Sequence, residues 1–303
     1  GVAAVRSTIM TISFLLALLL DREKDLYDAL FVAAFLILIV TPAALFDISF
    51  QLSFLAVLAI LYLIPRFTEY FSALKIGSEK IPELEPSRWK KKALSYLGAS
   101  LLTSAAAILG TGPLVVFYFN RISLVGFLSN LLLVPLMGLA NTLLSLLTSL
   151  FVFISHPLAQ ILMTVNVFLL NISLVLVDFF SRFPGASKRV ATPNIPEVLL
   201  LYGVLIFGAN IKRWRRSIYG LIGLVAVFAA VQVYSFYVYH HGSDLTVTFL
   251  DVGQGDAAVV RFPGGKVMVI DGGGTPDGSF DPGERVVAPF LWKTKNKSVD
   301  YMV

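Results

Sequence analysis

The sequence predicts a mainly α, polytopic membrane-helical region of about eight spans, followed by a short β-rich soluble segment. Three observations carry this. First, 57% of the residues are hydrophobic and only 14% charged, whereas soluble domains carry about 25% charged residues. Second, no Asp, Glu, Lys or Arg occurs from Ile122 to Val177, a run long enough for two passes at about 20 residues each. Third, the character changes near Ser243. Beyond it, Leu245 to Gly274 reads LTVTFLDVGQGDAAVVRFPGGKVMVIDGGG, a compact soluble pattern. The domain boundary is therefore placed between 1–242 and 243–303.

The spans are expected at Val2–Leu20, Leu26–Val40, Ile48–Ile64, Ala93–Phe119, Leu124–Ile154, Leu158–Val177, Val198–Ile211 and Ile218–Tyr239. Val198–Ile211 is short for a span unless Ile195–Glu197 extend it. Leu124–Ile154 is too long for one straight pass and contains Pro135 and Gly138. Either a break or a proline kink fits there, since irregular backbone at membrane depth needs protein or a wet cavity around it.

Basic loops orient the chain. Arg66–Lys92 carries seven basic residues, and Lys212, Arg213, Arg215 and Arg216 cluster between the last two spans. Positive loops stay in the cytoplasm. Placing both clusters inside requires an even number of spans between them, and four are predicted. The Arg182–Arg189 loop, with three basic residues, then falls outside, against the trend. The last span carries the chain outward, so the segment after Ser243 is expected to be extracytoplasmic.

In that segment, Leu245–Leu250, Ala257–Phe262 and Lys266–Asp271 read as strands, rich in Val, Ile, Phe and Thr and separated by Gly-rich turns. The second and third form a hairpin. Val286–Trp292 is a helix or a strand. Val299–Val303 reads as a strand without a partner. The chain opens on Gly1 inside an apolar stretch and is read as an internal piece of a longer protein.

The net charge of +5 suits contact with anionic lipid or nucleic acid. The absence of cysteine removes disulfides, thiolate metal sites and cysteine nucleophiles. No G-x-x-x-x-G-K-[ST] loop occurs.

FLDVGQGDAAVVRFPGGKVMVIDGGG, Phe249 to Gly274, resembles the opening of the metallo-β-lactamase-like domain of ComEC-type competence proteins. VRSTIM (Val5–Met10), LFDISFQLSFLAVLAI (Leu45–Ile60) and GPLVVFYFNRISLVGFLSNLLLVPL (Gly112–Leu136) resemble that family's membrane competence domain. The resemblance agrees in order and spacing over most of the chain. It implies a bacterial inner-membrane protein forming a channel for single-stranded DNA in natural transformation. A metallo-β-lactamase-like αββα domain follows the last span, here only its truncated start. The implied partners are single-stranded DNA, membrane lipid, a surface DNA receptor and a cytoplasmic helicase-like ATPase, since the chain has no P-loop of its own. Zn or Mn is implied only for a complete metallo-β-lactamase-like domain, whose HxHxDH motif is expected just beyond the strand-like Ser298–Val303. His156, His240 and His241 lack ligand spacing, so no cofactor and no catalytic residue is assigned to this piece.

Within the resemblance, Asp271 is the site candidate: an Asp at this position orients the loop that holds metal ligands and does not touch substrate. The bland alternative is a strand-end Asp that caps its turn. Asp251, Gln254 and Asp256 share one tight turn with Gly253 and Gly255. That loop either overhangs a metal site and touches a phosphate ester, or simply joins two strands. Arg6, near the outer end of the first span, either lines the channel or snorkels to the interface. Gln51 either faces a polar path or hydrogen-bonds within the helix bundle. Asn120, Asn130, Asn141, Asn166 and Asn171 add uncharged polar groups that serve either use. Two rival functions stay open: a membrane-anchored metallo-hydrolase (nuclease or phosphodiesterase), and a permease for another solute.

Overall fold

The structure, a computed structural model, describes residues 26–75, 88–214, 216–241, 244–253, 255–274, 281–296 and 298–303. The predicted span Val2–Leu20, with Arg6, and the turn residue Gln254 lie outside the described residues. The chain is mostly helical, with a small β region at its C-terminal end. Among the described residues, five helical stretches are long and apolar enough to cross a membrane: Ile48–Tyr70, Ser95–Phe119, Gly126–Phe151, His156–Ser181 and Ser217–Val238. Leu26–Val40 and Ile195–Ala209 are apolar but shorter.

Two compact units divide the chain. One comprises 1–112 and 122–188, the other 113–121 and 189–303.

In the first unit, α1 (Leu26–Val40) turns through a 3₁₀ segment (Pro42–Phe46) into α2 (Ile48–Lys75). Asp47 starts α2: its Oδ1 accepts from the Ser49 N–H at 2.7 Å, as an N-cap residue does. Ile37, Ala44 and Phe50 form a small core there. The long helix α3 (Arg88–Phe119) contributes its residues up to Gly112 to this unit. At the crossing of α2 and α3, a Cβ on Gly110 would overlap the Ala59 Cβ. Only glycine admits this approach, the small-residue contact by which membrane helices pack closely.

α4 (Gly126–Leu133) continues through Val134–Asn141 into α5 (Thr142–Phe151). Val134–Asn141 is neither a break nor a simple kink. It is π-helical, and Pro135, which has no N–H to donate, sits in its first turn. Helix α6 (His156–Ser181) packs against α5, with Asn166 Nδ2 donating to Ser145 Oγ at 2.8 Å. Asn141, at the end of the π segment, is buried, and neither of its side-chain polar atoms has a hydrogen-bond partner.

The second unit contains α7 (Ile195–Ala209), α8 (Ser217–His241), the C-terminal end of α3 and the β region. Its sheet has four strands in the order β1 (Thr246–Phe249), β2 (Ala258–Arg261), β3 (Val267–Ile270) and β4 (Tyr301–Met302). β1–β2 and β2–β3 pair antiparallel, giving the predicted hairpin. The Val299–Val303 strand is not partnerless. β4 lies parallel to β3, with Met268 opposite Tyr301, the Asp271 N–H donating to Val303 O, and the Val303 N–H donating to Val269 O.

The Val286–Trp292 stretch proves helical: a π turn (Gly283–Val287) runs into α9 (Ala288–Lys293). Val286, Val287, Phe290 and Leu291 cover the sheet face that carries Val259, Val267 and Val269. The strand register puts Val247, Phe249 and Ile270 on the opposite face. Phe249 is 82% exposed there.

Candidate functional site

The first cluster of interest follows from the strand directions. β1 and β3 both run antiparallel to β2, and β4 runs parallel to β3. The C-terminal ends of β1, β3 and β4 therefore meet at one edge of the sheet. The turn after β1 carries Asp251, Gly253, Gly255 and Asp256, and the turn after β3 carries Asp271–Gly274. The two turns touch: a Cβ on Gly255, whose φ is +84°, would lie 3.2 Å from the Gly273 Cα.

Asp251 and Asp271 each organise their own turn. Asp251 Oδ1 accepts from the Gly253 N–H at 3.1 Å. Asp271 has a left-handed backbone, φ +53°, and its Oδ1 accepts from the N–H groups of Gly272 (2.6 Å) and Gly273 (3.1 Å). Asp271 thus ends β3, shapes the glycine turn and lies beside the Val303 carbonyl. Asp256 is exposed on the β1–β2 turn. Among the described residues no three His, Cys, Asp or Glu side chains come together closely enough to hold a metal ion.

Gln51 stands elsewhere, in the first turn of α2. Its Nε2 donates to the Leu45 carbonyl at 2.9 Å, which ties the helix start to the 3₁₀ turn before it.

A second cluster escaped the reading of the sequence. Arg121 and Arg189 each place an Nη2 3.0 Å from Oε1 of Glu284. Arg189 also lies over the Trp292 ring, 5.2 Å from its centroid. Asn120, buried and at φ +55°, donates through Nδ2 to Thr192 Oγ1 at 2.5 Å. The Thr192 N–H donates to the Trp292 carbonyl.

Deeper in the same unit, Glu197 is almost fully buried. Its Oε2 accepts from the Asn194 N–H (2.7 Å), completing a capping box, and its Oε1 accepts from Gln232 Nε2 (3.0 Å) and Lys295 Nζ. Asn120–Arg121, Arg189–Glu197 and the β region are thereby bound together in one unit. The N-I-P-E pattern at 194–197 signals the capping box in the sequence. Nothing in it signals Lys295 as the partner.

Residues 1–215 match the family described as competence protein. The chain belongs to the competence protein family. The match ends before the apolar helix α8 and the β region. ComE operon protein 3 of Bacillus subtilis (strain 168) is 25% identical over 321 aligned positions, covering 99% of this chain and 37% of that relative. The chain thus spans a little over a third of the relative's length. No solved structure matches the chain. In this competence protein the FNR segment at 119–121 lies within the family match, while its ionic partner Glu284 lies beyond it.

Proposed function

We propose that this chain is part of a membrane channel that takes up single-stranded DNA during natural transformation, and that its β region begins an extracytoplasmic, metallo-β-lactamase-like domain. The observation that carries the reading is the competence family match over 1–215, coincident with helices able to cross a membrane. The membrane is the bacterial plasma membrane, crossed by about eight spans including Val2–Leu20. Residues 1–242 form the channel domain and residues 243–303 the opening of the second.

The orientation is supported by the second unit. The end of α3, the loop before α7 and the β region are joined through Arg121, Arg189, Glu284 and Trp292. They share one side of the membrane when an even number of spans separates Arg121 from Arg189. α4–α5 and α6 supply two. The basic residues that ran against the positive-inside trend are partly neutralised: Arg182 pairs with Asp178 and Arg189 with Glu284. The segment 212–216 then faces the cytoplasm, and the β region faces out.

Arg6 and Gln51 are the candidate channel residues. Asp251, Gln254, Asp256 and Asp271 are the candidate residues around a hydrolytic site, with Asp271 positioning its loop. A nuclease role, with Zn or Mn held by ligands outside this chain, is the second reading. The meeting of the turns after β1 and β3 favours it. The channel requires a surface receptor to deliver DNA and a cytoplasmic helicase-like ATPase to pull it.

Import of labelled DNA into cells carrying the full-length parent tests the proposal. Replacing Arg6 or Gln51 with Leu should lower import while surface DNA binding stays intact. Normal import by both variants at normal protein levels removes these residues from the path. Import that survives deletion of the whole gene removes the channel.

A further inference from the structure

A cavity of about 670 Å³ opens in the second unit where α8 meets the β region. Its lining comes from two sources. Val233 and Phe236 belong to the last turns of the apolar stretch Ser217–Val238. Lys266, Lys295 and Asp300 come from the β region and the loop between α9 and β4. In this apolar lining Val233 is 68% and Phe236 64% exposed. One half of the cavity therefore suits acyl chains, and the other suits a polar group.

The charges identify which polar group. Lys295 is already neutralised by the buried carboxylate of Glu197. Among the described lining residues that leaves the cation Lys266 and the anion Asp300. The main chain holds them side by side: the Val267 N–H donates to Asp300 Oδ2 at 2.8 Å, and the Asp300 N–H donates to the Val267 carbonyl at 2.8 Å. Lys266 Nζ lies 3.5 Å from the Tyr301 hydroxyl, on the neighbouring strand. A net-anionic headgroup gains from Lys266 and loses against Asp300. A zwitterionic headgroup with a phosphate and a primary ammonium satisfies both, because the ammonium has three N–H donors and a carboxylate only accepts.

We propose that this cavity binds a phosphatidylethanolamine molecule of the membrane leaflet on the side of the β region. The phosphate sits at Lys266, the ammonium at Asp300, and the chains lie along Val233 and Phe236. A volume near 670 Å³ falls within the range of about 300–1,000 Å³ usual for small-molecule sites. The proposal rests on α8 crossing the membrane and is independent of whether the channel carries DNA.

Native mass spectrometry of the purified full chain, exposed to equimolar phosphatidylethanolamine and phosphatidylglycerol with identical acyl chains, tests it. The chain should retain phosphatidylethanolamine preferentially. Lys266→Ala should reduce that retention about tenfold, the loss of one charge-assisted hydrogen bond. Asp300→Asn, which keeps an oxygen for the Val267 N–H, should shift the preference toward phosphatidylglycerol. Lys293→Ala, outside the cavity, should change nothing. Water-soluble glycerophosphoethanolamine at the same concentration should not displace the lipid. Equal retention of the two lipids, preference for phosphatidylglycerol by the unmodified chain, or indifference to Lys266→Ala overturns the site. Displacement by the soluble headgroup overturns the assignment to a lipid. If Asp300→Asn fails to fold, as judged by circular dichroism, Lys266→Ala on its exposed turn still decides.

Discussion

Lys295 Nζ donates to Oε1 of Glu197, a residue only 1% exposed at the first turn of α7. The two residues are 98 positions apart, so this pair fastens the loop after α9 to a helix of the apolar region. Buried carboxylate oxygens need hydrogen-bond partners, and among the described residues Glu197 finds them in Lys295 Nζ, Gln232 Nε2 and the Asn194 N–H.

Removing Lys295 should therefore cost far more than a surface pair would. Lys295→Met leaves Glu197 buried with only neutral donors, and we expect a loss of about 3 kcal/mol, the low end for breaking a buried pair. Adding Glu197→Gln to that variant should recover most of the loss. Thermal unfolding in detergent measures both, and a double variant no more stable than Lys295→Met alone contradicts the account.

The Arg121–Glu284–Arg189 group should behave in the opposite way. All three side chains are about half exposed, so Glu284→Gln should change stability by less than about 1 kcal/mol. Its value is as a marker of sidedness. Cysteines introduced at Arg121, Arg189 and Glu284, in a chain that has none of its own, should all react with a membrane-impermeant maleimide added outside intact cells. A cysteine at Lys212 should react only after permeabilisation. Labelling of Lys212 from outside means the span count is wrong.

Gly110 sets the approach of α2 and α3. Gly110→Ala drives a methyl group into Ala59 and should destabilise by about 1–3 kcal/mol, the usual cost of overpacking. Exchanging the two sizes, Ala59→Gly with Gly110→Ala, should restore part of the stability. No recovery in the exchanged pair argues that the backbones, not the two side chains, are limiting.

Asn141 predicts a separation of stability from function. Its amide is buried without partners at the end of the π segment, a burial that ordinarily costs about 1–3 kcal/mol. Asn141→Leu should leave the melting temperature unchanged or higher, yet lower DNA import if the amide serves the transport path. Unchanged import in a stabilised variant assigns the π segment a packing role alone.

Asp271 should tolerate Asn better than Ala. Asn retains a side-chain oxygen for the Gly272 and Gly273 N–H groups and tolerates the left-handed φ of +53°. In the complete domain of the full-length parent, Asp271→Ala should weaken metal binding about 10–100-fold. Calorimetry that shows unchanged affinity reduces Asp271 to a turn residue.

Much of the architecture was legible in the sequence, because apolar helices and glycine-bounded strands are written in local composition. The helix Leu26–Val40 ends at Val40 as expected, and the hairpin Ala258–Ile270 forms where Val-rich runs flank PGG. The pairing of the two glycine turns was half legible. Each announces itself, but their contact through Gly255 and Gly273 depends on the strand directions. The Glu197 capping box was likewise written in four consecutive residues.

Other features were decided only in three dimensions. Pro135 marked an irregularity, but whether the chain breaks, kinks or widens to a π turn depends on what packs around it. Tyr301–Met302 carries no mark of its partner, since parallel pairing with β3 is set by the crossover through α9. Arg121, Arg189 and Glu284 carry no local mark of one another in the sequence. They lie 163 and 95 positions from one another along the two ionic pairs, and no local propensity chooses partners at that range. Local sequence dictates which groups must be buried or satisfied. Only the packed chain decides which distant group satisfies them.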